Sequence, residues 1–142
     1  PVPNNQVEAG AALFAFELTI AMKQYALTLD LKDEPELIAA YKQHHQAVWP
    51  EVIESLTAVG VHDMKIWLKE NRLFMLLETG DGFDIDTDLP RYLSLNPRCQ
   101  EWEELMERFQ GKGPGAKADE KWVQMECIFE LSQQRNRLVP GQ

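Results

Sequence analysis

Two stretches that alternate in polarity, Val61 to Lys69 and Arg72 to Glu78, are separated by only Glu70-Asn71. A connection that short cannot make a crossover, so it predicts a tight antiparallel hairpin. Upstream, Gln24 to Leu31 alternates with an aromatic or aliphatic residue at every second place and reads as a strand. A helix is then expected, capped by Asp33 with Pro35 in its first turn and running to His44 or His45. Pro50 pushes Trp49 out of the helical region, so the first helix ends before it and a second starts at Pro50, with Gly60 as its stop. Beyond the hairpin the reading is an acidic loop from Gly80 to Asp88, then a helical region from Asp88 to Phe109 interrupted at Asn96-Pro97. A Gly/Pro loop from Gly111 to Ala118 and a final strand from Trp122 to Leu131 follow, and the tail is polar. The order β-α-α-β-β-α-β predicts an α+β fold, a ferredoxin-like antiparallel sheet with helices on one face. The other face then needs a cover, which a symmetric dimer packing two sheets together provides.

A chain of 142 residues makes one domain with a real core. Its net charge of −9 leaves no basic stripe for phosphates, which argues against nucleic acid and against anionic membrane surfaces. Cys99 and Cys127 lie far apart and read as reduced core thiols of a cytoplasmic protein. The apolar run from Ala9 to Ala21 contains Glu17, is too short for a bilayer and has no basic residues before it. It reads as an extra terminal helix or a partly ordered extension. The expected division is therefore an extension over 1–21, the domain over 22–132 and a polar tail over 133–142.

The chemistry concentrates in Tyr41-x-x-x-His45-x-x-x-Trp49-Pro50-Glu51. Histidine both gives and takes a proton near neutrality, and Tyr41 lies one helical turn before it on the same face. Tyr41, Trp49 and Trp67 are the candidate co-liners of a pocket around His45. By spacing alone a catalytic and a structural His45 are evenly matched, and His44, at a different helical angle, is expected to face solvent. Trp102, with Trp122, walls a sugar site or fills the core, and core is the stronger reading from spacing. No metal is expected. His44 and His45 are adjacent and point apart, and an EF-hand frame from Asp84 has Leu89 where glycine is required. Neither a nucleophile elbow nor a phosphate-binding glycine loop is present in the sequence, so no cofactor is expected. Acid/base groups and aromatic surfaces without a cofactor signature suit proton transfer on a small neutral ligand.

The same motif resembles the L-rhamnose mutarotase family when taken with the helix ending at Gly60 and the Ile66-Trp67-Leu68…Leu73-Phe74 hairpin. Cys99-Gln100-x-Trp102 and Glu126-x-Ile128-Phe129-x-Leu131 complete the match, in order, over about residues 23 to 131. The resemblance implies a dimeric α+β barrel and cofactor-free interconversion of the α and β anomers of a 6-deoxy-hexose. It further implies that His45 is the catalytic acid/base and Tyr41 its partner and sugar contact, with Trp49, Met64, Trp67, Trp102 and Glu103 at the substrate. Rhamnose members carry tyrosine where this chain has Met64, and a Trp-Trp pair where it has Trp102-Glu103. Those departures alter the sugar wall and leave the catalytic pair, so they bear on L-rhamnose against L-fucose. Asp63-Met64, the Glu101–Met106 stretch and Lys121-Trp122-Val123 are similar to a subgroup linked to L-fucose use. Two other readings compete: a cofactor-independent monooxygenase of the same dimeric barrel type, and a non-catalytic sugar-binding dimer.

Overall fold

The computed structural model describes residues 22–138. The terminal helix or extension read over 1–21 lies outside the described residues. The elements are β1 (Met22–Asp30), α1 (Pro35–His44), α2 (Pro50–Ala58), β2 (Val61–Lys69) and β3 (Arg72–Gly80), then α3 (Ile85–Arg91) and a 3₁₀ turn (Tyr92–Ser94). α4 (Pro97–Glu107), β4 (Val123–Gln124) and α5 (Leu131–Asn136) complete them.

The four strands form one sheet in the order β2-β3-β1-β4, antiparallel throughout. Lys69 pairs with Arg72, so Glu70-Asn71 is the two-residue turn of the hairpin, with Glu70 at φ 55°. Asn71 ties that turn to the end of β1: its side-chain amide donates to the Leu31 carbonyl at 3.0 Å, and its own carbonyl accepts from the Leu31 N–H at 2.7 Å. Strand alternation now has a direction. Leu27, Leu29, Leu73, Met75 and Leu77 point to the helices and are buried, whereas Trp67 and Phe74 sit on the opposite face with half and about a third of their surface exposed. The helices cover one face only, which is the ferredoxin-like arrangement expected.

Helix ends follow local chemistry. α1 begins at Pro35, and Glu34 rather than Asp33 is its N-cap, without a side-chain bond. Asp33 stands one residue too early, and Pro35 removes an N–H that would otherwise want a partner. α2 stops at Gly60, whose φ of +110° suits glycine and whose missing side chain leaves room for Phe83. The acidic stretch is a loop only as far as Asp84, and the helix begins at Ile85, three residues before the expected start at Asp88. Asp84 accepts from the Asp86 N–H at 3.0 Å while Asp88 accepts from the Asp84 N–H at 2.9 Å, so two of its carboxylates cap α3. The interruption at Asn96-Pro97 is where expected, with Asn96 capping α4 through the Arg98 N–H at 2.9 Å.

Three expectations need correcting. The final strand is short: only Val123 and Gln124 pair with β1, and Met125 adds one bond to the Ala26 carbonyl. Residues 126–130 have no ladder partner among the described residues, and Ile128 and Phe129 are largely exposed. Their apolar pattern asks for burial that a single chain does not supply. Cys99 is fully buried, as expected, but Cys127 sits on this exposed segment. His44 is half-buried rather than solvent-facing, because its ring leans on Phe109 at 5.4 Å between centroids.

Candidate active site

α1 ends at His44, and His45 follows as its C-cap with a helical backbone (φ −79°, ψ −6°). Trp49 is extended (φ −58°, ψ 136°), as the residue before a proline must be, so the chain turns sharply between the two helices. That turn brings the His45 ring over Tyr41, with centroids 4.2 Å apart, and edge-on to Trp102 at 5.6 Å.

His45 Nδ1 lies 2.8 Å from the Tyr41 carbonyl oxygen. A carbonyl only accepts, so Nδ1 carries the proton and Nε2 holds the free lone pair. Burial pushes the imidazole below its ordinary value, the Tyr41 carbonyl bond works against that shift, and His44 adds slightly to it. The ring is therefore neutral at pH 7, with a basic nitrogen. The Tyr41 phenol is pushed up to about 12 by burial, the Gln110 amide beside it acts in the opposite direction, and the Glu103 carboxylate adds to the rise. It is thus a proton-bearing donor throughout the physiological range. Tyr92 donates to a Glu103 carboxylate oxygen. Burial first, then that carboxylate, holds its phenol well above the ordinary tyrosine value.

These groups face two joined hollows between the helices and the inner face of the sheet. The inner one, about 110 Å³, is lined by Tyr41, His45, Met64, Tyr92, Trp102, Glu103, Gln110 and Trp122 together with aliphatic side chains. The outer one, about 440 Å³, lies along α2 and the edge strand β2. His45, Val52, Leu56, Met64, Ile66 and Trp102 belong to both, so the histidine stands at the junction. An apolar cavity with a few converging polar groups is the usual form of a small-molecule site.

Of the residues singled out from sequence, Tyr41, His45, Met64, Trp102, Glu103 and Trp122 meet here. Trp102 lines the cavity as well as being buried. Trp49 does not reach the cavity wall. It packs edge-on against Trp102 at 5.2 Å, with the Arg98 guanidinium 3.8 Å over its own ring, and so props the cavity's indole. Trp67 is on the other face of the sheet, 5.6 Å from Phe74, and is not brought to the site. Its odd register relative to Met64 and Ile66 already carried that information, since successive strand residues point to opposite faces. Tyr92 and Gln110 were missed. Each sits just outside a regular helix, where periodicity gives no direction.

Known proteins resemble this chain over most of the described residues. The model of the L-rhamnose mutarotase family matches residues 24–131. A UPF0734 protein of Dictyostelium discoideum is 40% identical, over 77% of this chain and 90% of its own length. An L-fucose mutarotase of Xanthomonas campestris is 39% identical, over 80% and 92% respectively. An L-rhamnose mutarotase of Mesorhizobium japonicum is 33% identical, over 78% and 98%. The crystal structure of an L-rhamnose mutarotase from Formosa agariphila superposes with a TM-score of 0.55 at 21% identity, covering 76% of this chain and 97% of that one, and shares the fold. The chain belongs to the L-rhamnose mutarotase family.

Proposed function

We propose that the cavity opens and recloses the pyranose ring of a 6-deoxy-hexose, and so interconverts its α and β anomers. The observation that carries the reading is the neutral His45 imidazole at the cavity junction, tied through Nδ1 and offering Nε2 beside the Tyr41 phenol. Nε2 takes the proton of the anomeric hydroxyl. The C1–O5 bond breaks, and O5 receives a proton from Tyr41 or from a water that it holds. The C1–C2 bond of the free aldehyde rotates, and closure on the other face returns both protons to their donors. Each proton transfer by a positioned side chain contributes roughly 10²- to 10⁴-fold, ample for a reaction already measurable in water. No step calls for a cofactor or a metal. L-Fucose is the favoured sugar, because the relative bearing that name is 39% identical and Glu103 departs from the rhamnose pattern.

Saturation-transfer NMR at the anomeric protons of L-fucose and L-rhamnose tests this. Enzyme-dependent exchange in at least one sugar is expected. Silence in both, with oxygen uptake on polyphenols, would move the chain to the monooxygenase reading. Saturable sugar binding without exchange would leave a binding dimer.

The pH dependence has a definite sign. His45 acts as the free base, and burial lowers its pKa from 6.5. Activity should be level from pH 8 down through 6.5, with the falling limb below that point and about tenfold lost per pH unit there. A limb centred above pH 6.5 would count against a buried, neutral base.

A homodimer is part of the same proposal. Trp67 and Phe74 on the uncovered sheet face, and Met125, Ile128, Phe129 and Leu131 in and around the unpaired segment, are exposed apolar side chains that a second copy would cover. Sedimentation should give about twice 16.3 kDa, and Trp67→Glu should shift the population towards the monomer. A wild-type monomer at micromolar concentration would overturn it. No helix among the described residues is long and apolar enough to cross a membrane. A cytoplasmic location, with the thiols of Cys99 and Cys127 reduced, goes with this reading.

A further inference from the structure

We propose that Gln110 reads a ring hydroxyl of the substrate other than the anomeric one, and thereby discriminates between stereoisomeric sugars. The inference rests on the mutarotase reading and deepens it.

Gln110 is buried to about nine-tenths, and its Oε1 is a buried side-chain oxygen without a hydrogen-bond partner. An orphaned amide atom in a protein interior is uncommon and costly, so it asks for an explanation. Looseness of the chain is not one. The Gln110 N–H donates to the Met106 carbonyl at 3.2 Å, Gly111 donates to Asp30 at 2.8 Å, and Lys32 donates to Phe109 at 2.9 Å. A bridge between Leu31 and Gln110 closes the clamp. The backbone is thus held on both sides, and the side chain is delivered to one place.

That place is the wall of the inner hollow, beside the Tyr41 phenol. An amide has an acceptor oxygen and a donor nitrogen at opposite ends of one plane, and turning it over merely exchanges them. The amide lies beside the Tyr41 phenol, and the position of its Oε1 has no protein partner whichever way the amide is turned. A sugar hydroxyl, which both donates and accepts, complements either end. The neighbouring wall explains why the amide matters. Tyr92 donates its only proton to Glu103, and Met64, Met75, Leu89 and Met106 offer nothing to a hydroxyl. L-Fucose and L-rhamnose differ in configuration at C2 and C4. A single fixed amide can therefore satisfy a hydroxyl in one sugar and miss it in the other.

The test is a cycle between residue and hydroxyl. Anomer exchange is measured for wild type and Gln110→Met, on the better sugar and on its 2-, 3- and 4-monodeoxy analogues. Gln110→Met should lower kcat/KM on the parent sugar roughly 10- to 100-fold, mainly through KM. Wild type should lose a similar factor on one monodeoxy analogue, and on that analogue the variant should lose nothing further. Equal kcat/KM for variant and wild type on the parent sugar would overturn the proposal. So would losses that simply multiply on every analogue, which would mark Gln110 as a support for Tyr41. Should Gln110→Met fail to fold by circular dichroism, Gln110→Glu, which keeps the shape, takes its place, and absence of coupling there overturns the proposal equally. Wild type that exchanges neither parent sugar defeats the mutarotase reading itself, a result separate from all of these.

Discussion

His45→Gln should lose anomer exchange by about 10²- to 10⁴-fold, the usual contribution of one positioned acid/base group, while the domain stays folded. Glutamine keeps polarity and approximate size at the end of α1 and still reaches the Tyr41 carbonyl as a donor. What it lacks is a basic nitrogen. Among the described residues, the side-chain bond at stake is the one from Nδ1 to Tyr41 at 2.8 Å, worth about 0.5–1.5 kcal/mol net. Loss of turnover with nearly unchanged thermal unfolding is the expected pair of results, read from NMR exchange and circular dichroism on one sample. Full turnover in the variant would show that some other group moves the proton. Tyr92 and Glu103, already in the cavity, would then be the next residues to replace.

Leu77→Ala should do the opposite. Leu77 is fully buried on β3, paired with Tyr25 on one side and Met64 on the other, at the middle of the sheet face that carries the helices. Truncating a leucine in such a place costs about 2–5 kcal/mol, because the lost transfer free energy is joined by a cavity that neighbouring strands cannot close. For a domain of this size that is a fall in Tm of roughly 8–20 °C. Leu77 does not line either hollow, so exchange per folded molecule should be little changed at a temperature where the variant remains folded. A cost below about 1 kcal/mol would mean that this face of the sheet is looser than its burial indicates. The two variants together separate the chemistry of the cavity from the packing that holds it.

The hairpin, the break before Pro50, the interruption at Asn96-Pro97 and the Gly60 stop were legible because each rests on interactions within a few residues. Tyr41 and His45 were legible as a pair for the same reason, being one helical turn apart. The failures share a different cause. Carboxylates that cap a helix's own first turn look like loop residues along the chain, so the start of α3 falls at Ile85 rather than at the expected Asp88. The stretch from Trp122 to Leu131 has a strand's composition throughout, yet pairing ends within a few residues, because a ladder needs a neighbour and composition does not provide one.

By itself, the sequence determined the order of elements, the sign of the charge, and the presence of a histidine one helical turn from a phenol. Those are properties of neighbours along the chain. Tertiary structure alone decided that Trp67 faces away from the site, that Trp49 props Trp102 without touching the cavity, and that Gln110 arrives beside Tyr41. Tyr41 and Gln110 lie 69 positions apart, and the bridge between Leu31 and Gln110, with the packing of Phe109 on Tyr41, brings them together. No periodicity spans that distance, because burial and pairing act through space, and the residues that meet there are chosen by the packing of the whole domain.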